Sequence, residues 1–500
     1  MSVSRISGAL SAEETARTEF LRKFPEYERT SRIDALRASD YGRLDALGQI
    51  YLDYTGGSLY GESQVRQHLD LLTRHVFGNP HSASPASIAT TDLVEEARAH
   101  VLRYFNAPPT EYAAIFTANA TGALKHVAES YPFSDRSQYL LTVDNHNSVN
   151  GIRELARARG ASVEYAPVTV PDLRIDRARL GELLGKADRA QHNLFAFPAQ
   201  SNFSGVKHPL ELVEDAHASG WDVLLDAAAF VSTNRLDLTA LRPEFVCVSF
   251  YKMFGYPTGV GCLLVRTSAL PSLVRPWFAG GTVNFASVRG TLHVLAPREA
   301  GFEDGTLNYL GIPAVTIGLR HLESIGQDTI PTRVGCLTAW LLEKLLALRH
   351  TNGRHMVRIY GPADMTERGG TIALNLYDPD GHLLDYRRVE ELAGLEGISL
   401  RTGCFCNPGA GETAEGLTDE DMQAGVEEGP AITLSRFREI VRQRGGKSAG
   451  AIRVSLGLVS NFSDVYRFIT FTESLRDQTR LTMGDVTFDV DACRVLRDGA

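Results

Sequence analysis

Lys252 stands where an apolar run, Phe245-Val246-Cys247-Val248, passes through Ser249-Phe250-Tyr251 into a loop marked by Gly255, Pro257 and Gly259. A buried strand that ends this way holds its lysine near apolar surroundings, where desolvation lowers the pKa and leaves a neutral nucleophilic amine. That is the state needed for covalent capture of a carbonyl. Most lysines are solvated, so the surrounding residues carry the reading. Asp226 ends the run Val223-Leu224-Leu225, and ligands gather at the carboxyl ends of strands in open α/β sheets. Its other use is to cap the element that follows. Tyr112 to Phe116 reads as a buried strand running into Thr117-Ala118-Asn119-Ala120-Thr121-Gly122, small residues that open a helix. Its first N–H groups, with the Thr121 hydroxyl, form a phosphate site. His146 follows a further strand end, Leu140 to Val143, and offers an imidazole to lie flat on an aromatic ring.

Together these groups describe a site for pyridoxal phosphate, which requires a carboxylate against its pyridine nitrogen to keep the ring protonated and able to accept electrons. Arg401 and Cys406 supply the substrate end. A guanidinium binds a carboxylate in planar, bidentate fashion, which suits the α-carboxylate of an amino acid. Cys406 lies on a loop with Gly403, Asn407, Pro408 and Gly409, an arrangement expected to be exposed and mobile. A thiolate there reaches the γ-sulfur of a bound cysteine, accepts it as a persulfide and swings away. Cys404 competes for this role. The pair also admits a disulfide or a metal site, although Cys-x-Cys without a second Cys or His cluster is a poor zinc signature.

Tyr51-Leu52-Asp53-Tyr54, Gly78-Asn79-Pro80-His81-Ser82, Pro198 to Gly205, Phe302-Glu303-Asp304-Gly305-Thr306 and Arg401 to Gly409 run in order between about residues 48 and 470. On these segments the chain resembles the class V aminotransferase and cysteine desulfurase superfamily of fold-type-I pyridoxal phosphate enzymes. Within it the likeness is strongest to the amino-terminal desulfurase domain of molybdenum cofactor sulfurases. The resemblance implies that Lys252 carries the cofactor, Asp226 pairs with the pyridine nitrogen, His146 stacks on the ring and Asn202 bonds the ring hydroxyl. Ala120, Thr121 and Ser249 would hold the phosphate, and Thr306 would reach it from a neighbouring subunit of a homodimer. Arg401 would bind the substrate carboxylate and Cys406 would be the persulfide carrier. Two positions depart from the simpler bacterial desulfurases: Tyr251 replaces a His, and Ala229 replaces a Gln. The Tyr251 phenol still bonds a phosphate, but Ala229 offers no amide. Gly411 stands where sulfurases often have a further cysteine.

With 500 residues, 43% hydrophobic and 22% charged, the composition is that of a soluble globular protein of two or three structural units. Net charge is −9, from 51 Lys+Arg against 60 Asp+Glu, which argues against non-specific binding to nucleic acid or anionic membrane. No run approaches about 18 apolar residues, and Met1 to Arg5 is followed by no hydrophobic signal core, so a cytoplasmic protein is expected. Six scattered cysteines are too sparse for a disulfide framework, and Cys247 and Cys262 read as reduced core residues.

From about residue 85 to 310, strand-like runs alternate with helical patterns. They lie at 113–116, 139–143, 162–166, 193–197, 223–225, 245–249 and 261–265, which predicts a mainly parallel sheet covered by helices. With the resemblance, the fold class is α/β: a fold-type-I large domain with a seven-stranded sheet and a smaller α+β domain. The expected divisions are a helical segment at 1–48, opened by a capping box at Ser11, and a cofactor domain at 49–310. A small domain carrying the Cys406 loop spans 311–480, and a tail at 481–500 adds an edge strand. The acidic stretch 411–430 reads as a solvated connection, with an acidic docking surface as the second reading. The expected function is a pyridoxal-phosphate-dependent cysteine desulfurase or C–S lyase, converting L-cysteine to alanine and passing sulfur through Cys406 to a protein or small-molecule acceptor. The alternative is an aminotransferase, epimerase or lyase of the same fold acting on another amino acid.

Overall fold

The computed structural model describes residues 3–80, 82–326, 328–429, 432–444, 447–479, 487–489 and 494–496. Its central sheet is built from β1 (Tyr112–Thr117), β2 (Gln138–Thr142), β3 (Ser162–Ala166), β4 (Leu194–Pro198), β5 (Asp222–Asp226), β6 (Phe245–Ser249) and β7 (Gly261–Arg266). The spatial order is β1-β7-β6-β5-β4-β2-β3, with β7 antiparallel to both neighbours and every other pair parallel. The strands read as continuous apolar runs because both faces are covered. Phe116, Leu225 and Val246 point into one core, while their chain neighbours Ile115, Leu224 and Cys247 point into the other. Each fully buried side chain of this size contributes about 1.5–3 kcal/mol of transfer free energy.

The six co-directional strands end on one edge, so the segments following β1, β2, β4, β5 and β6 meet there. Helix α1 (Ala120–Ser130) follows β1, and α2 (Phe250–Phe254) follows β6. Gly261, at the start of β7, lies so close to this edge that a Cβ there would fall 2.5 Å from the Asn119 carbonyl carbon and 2.9 Å from the Ala120 nitrogen. Glycine is therefore needed where β7 passes beneath the α1 turn.

A second, antiparallel sheet holds β8 (Val357–Tyr360), β9 (Thr371–Leu376), β10 (Arg401–Gly403) and β11 (Ala451–Ser455), in the order β8-β9-β11-β10. The segment at Ile50–Tyr51 pairs in parallel with Ile398–Ser399, and Asp53 bridges to Ser455. That pairing delivers Asp53 to β10 and β11. Buried ions fasten the N-terminal helices to the C-terminal part of the chain. Arg37 Nη1 and Nη2 bond the two Asp464 carboxylate oxygens at 2.6 and 3.0 Å, and the fully buried Arg333 donates to the Ser460 carbonyl at 2.6 Å and to Asp34. Removing one partner of such a pair strands a charge in the interior.

Four local expectations are corrected. The first helix runs Val3–Lys23, so Ser11 lies inside it and opens nothing. The acidic stretch after Cys406 is largely helical, as α3 (Pro408–Glu415) and a further helix Asp419–Glu427, because Asn407 and Thr418 cap it. No helix follows Asp226: residues 228–233 form turns. In the tail, Thr487–Asp489 and Arg494–Leu496 pair with each other as an antiparallel hairpin, not with a larger sheet. His81, Cys493 and the rest of the tail lie outside the described residues.

Candidate active site

The strand ends enclose a cavity of about 110 Å³ whose walls include Ala120, Thr121, His146, Asn202, Asp226, Ser249, Tyr251 and Lys252. Eight of the residues singled out in the sequence thus meet in one place. Thr306, Arg401 and Cys406 lie outside this wall.

On one side, Asn119 caps α1, its Oδ1 accepting the Gly122 N–H at 2.9 Å. The first N–H groups of a helix have no intrahelical acceptor and carry the positive end of its dipole. The Thr121 hydroxyl meets that of Ser148 at 2.8 Å. Ser249 Oγ is buried and without a hydrogen-bond partner, an arrangement that an oxyanion satisfies.

On the other side, Asp226 Oδ1 accepts the Ala228 N–H at 3.0 Å and the Cys247 thiol at 3.4 Å, which orients its carboxylate at the cavity wall. Both readings of Asp226, turn cap and wall carboxylate, are realised. Burial lowers the Lys252 pKa, with Asp226 opposing and Arg453 and Arg401 adding to the effect. His146 Nδ1 accepts the Ser148 N–H at 3.1 Å, so the proton of the neutral ring sits on Nε2. Burial lowers the His146 pKa, which keeps the imidazole neutral and able to lie against a cationic ring. Burial raises the Tyr251 pKa and keeps its phenol protonated as a donor.

Arg401 sits outside the cavity wall, its side chain 52% exposed, with Nη2 and Nε on Asp53 Oδ2 at 2.6 and 2.9 Å. The opposite oxygen of Asp53 accepts Arg453 Nη2 at 2.8 Å. Arg453, which faces Arg401 across the β10–β11 pair, is buried, donates to the Asn202 carbonyl at 3.1 Å and stacks 4.7 Å from the Phe405 ring centre. Its Nε has no partner. Sequence reasoning missed Arg453, Asp53 and Gln200. Asp53 and Gln200 lay in plain view inside the matching segments, whereas an arginine in a strand pattern gave no local signal. Gln200 brings a buried amide to the same cavity as Ala229, the position that lacks one.

Cys406 is exposed and Cys404 half-buried, both free thiols. The cavity wall holds the backbone of this loop. The Asn147 N–H donates to the Cys406 carbonyl at 2.7 Å and Asn202 Nδ2 to the Phe405 carbonyl at 2.7 Å. Asn407 Nδ2 bonds Asn202 Oδ1 at 2.9 Å and the Asp144 carbonyl at 2.6 Å. Asn202 is thereby shared between the cavity and the cysteine loop. Thr306 is exposed, in the loop that Glu303 pins to β1 through Arg98 (2.7 Å) and the Phe116 N–H (2.9 Å).

Glu415, at the end of α3, bonds Asn375 at 2.9 Å, and burial pushes its pKa up to about 7 against the pull of Tyr360, Arg358 and Asn375. A carboxyl raised in the folded state binds its proton more tightly there than in the unfolded chain. The stability it adds is complete below the ordinary value of 4.5 and is lost as pH rises to about 7. The loss amounts to at most about 3 kcal/mol. Melting curves at about pH 5 and about pH 8 check this: Glu415→Gln should flatten the difference, and an unchanged difference would contradict it.

The fold and the composition of this edge define the class. The chain belongs to the class V aminotransferase family, whose sequence pattern matches residues 50–468. Among curated relatives it is similar to the molybdenum cofactor sulfurase of Solanum lycopersicum, 38% identical over 497 residues, covering 92% of this chain and 60% of the plant protein. It is 36% identical to that of Homo sapiens over 463 residues, covering 87% of this chain and 50% of the human one. The chain thus spans between half and three fifths of these relatives. Its fold is shared with a cysteine desulfurase from Thermococcus onnurineus at TM-score 0.73 and 23% identity, covering 88% of this chain and 97% of that one. A cysteine desulfurase from Escherichia coli matches at TM-score 0.68 and 21% identity, over 88% and 98%. Among the described residues no helix is long and apolar enough to cross a membrane.

Proposed function

We propose that this protein is a pyridoxal-phosphate-dependent cysteine desulfurase that converts L-cysteine to L-alanine and takes the sulfur onto Cys406. The observation that carries the reading is the meeting of Lys252, Asp226, neutral His146 and the Ser249–α1 anion site in one cavity, with an exposed thiol loop bonded to the same wall. The unpartnered Ser249 hydroxyl and the open N–H groups of α1 fit a phosphate, and Asp226 opposite His146 fits a protonated pyridine ring. The names of the sulfurase and desulfurase relatives support the same chemistry.

When bound, pyridoxal phosphate supplies a carbonyl carbon for amines and an electron sink for the substrate α-carbon. The remaining work falls to side chains. Ala120, Thr121, Ser249 and Tyr251 would hold the phosphate, and Thr306 would add to it from a second copy of the chain. Asp226 would keep the pyridine nitrogen protonated, His146 would lie against the ring, and Asn202 with Gln200 would bond the ring hydroxyl. Lys252, whose pKa burial lowers, moves a proton to and from the α-carbon. Arg453 and Arg401 bind the α-carboxylate, with the buried Arg453 nearer the cavity wall. The Cys406 thiolate attacks the γ-sulfur, so that L-cysteine and the Cys406 thiol become L-alanine and the Cys406 persulfide. Two equivalents of a thiol reductant then return Cys406 and release sulfide.

The exposed apolar residues Phe285, Leu292 and Val294 of a hairpin near the Thr306 loop, with Trp277 and Phe278 just before it, support a homodimer. We assign the cofactor unit to 49–310, the cysteine loop to a small unit at 311–480 and the protein to the cytoplasm. The sulfur acceptor is a small molecule or a partner protein. The test is product stoichiometry from L-cysteine with a thiol reductant: alanine and sulfide in equal amounts are expected. Keto-acid product, or a racemised amino acid, would transfer the assignment to an aminotransferase or epimerase of the same fold.

A further inference from the structure

Beneath the cavity, His208 Nε2 donates to Asp144 Oδ2 at 2.8 Å, with both side chains wholly buried. The resemblance assigns neither residue a role. Asp144 belongs to the turn between β2 and His146, and its carbonyl accepts Asn407 Nδ2 at 2.6 Å. His208 closes the loop that carries Asn202: its N–H donates to the Ala199 carbonyl at 3.1 Å, while the Ser201 N–H bonds the Val206 carbonyl at 2.8 Å. The pair therefore ties together two walls, and each wall grips the cysteine loop. Asn202 and Asn147 hold the Phe405 and Cys406 carbonyls, and Asn407 is held by both walls at once.

The loop needs that grip. Phe405 and Cys406 lie at φ of +55° and +54°, two consecutive non-glycine residues in the left-handed region. Such a conformation persists only where the surroundings over-determine it. The grip, not the loop's own preference, fixes where the Cys406 side chain begins.

We propose that His208 and Asp144 are a positioning couple, a buried brace that holds the Cys406 loop in register with the cavity so that the thiol meets the substrate sulfur. This rests on the desulfurase reading for its chemical purpose, but the mechanical claim stands separately. Two substitutions differing only in reach test it. The amide nitrogen of His208→Gln falls where Nε2 stands and keeps the bond to Asp144; that of His208→Asn falls short.

In His208→Asn, amide hydrogen exchange across 403–411 and 144–150 should accelerate by about 10-fold or more, while 245–249 stays protected. The rate of sulfur loading on Cys406 should fall with KM for L-cysteine and the cofactor absorbance unchanged, and His208→Gln should restore both. Unchanged exchange in His208→Asn, acceleration confined to 199–208, or equal damage from the two variants would overturn the brace. If the unmodified protein loads no sulfur, the desulfurase reading fails while the exchange comparison still decides the brace.

Discussion

Replacing Lys252 by alanine is expected to lower alanine formation by about 10³-fold or more, the scale of a lost general acid–base group that is also the nucleophile. The variant should fold normally. Lys252 lines the cavity from the short α2. The discriminating readout is covalent. Borohydride should fix the cofactor to the unmodified chain and leave none fixed to Lys252→Ala, even with the proposed Ser249–α1 phosphate site intact. Because burial lowers the amine pKa, the neutral form is present at a lower pH than for a solvated lysine. Cofactor capture should accordingly persist to lower pH than capture by a free lysine analogue. Fixation that survives in Lys252→Ala would point to another amine and end this assignment.

Cys406→Ala should abolish persulfide on the protein and cut sulfide release from L-cysteine on the order of 10²-fold or more, the cost of removing a reacting nucleophile. The cofactor absorbance and its change on adding cysteine should remain, since Cys406 lies outside the cavity wall. Cys404→Ser is the paired control. It is half-buried two residues away and should keep most of the activity. Equal loss in the two variants would make the Cys-x-Cys pair the functional unit, and full sulfide release in Cys406→Ala would favour a C–S lyase that needs no protein thiol. Mass spectrometry of the loop peptide after one turnover, with and without reductant, separates these outcomes.

Much of the site is legible in the sequence. Asp226 and Lys252 stand out because apolar runs end at or just before them and strands of one direction all end on one edge, whereas Ser249 came with the family resemblance. Ala120 and Thr121 were found because small polar residues after a strand open a helix. The errors arose where the signal was local but its partner was not. Loop composition implies a mobile Cys406, whereas the bonds made by Asn147, Asn202 and Asn407 that hold its backbone all join residues more than 200 apart in the chain. Arg401 drew notice through its spacing from Cys406, while the better-buried Arg453 sat unremarked in a strand pattern.

The sequence alone determined the alternating architecture, the family, and the residues at the strand ends, since hydrophobic period and chain direction are written locally. The tertiary structure decided how the arginines are shared. Asp53 is 348 residues from Arg401 and 400 from Arg453, and the three meet only because Ile50–Tyr51 pairs with Ile398–Ser399 and Asp53 bridges to Ser455. It also decided that His208 and Asp144 form a buried pair. A charge is stable in an interior only beside its partner, and the identity of that partner is a property of the packed chain.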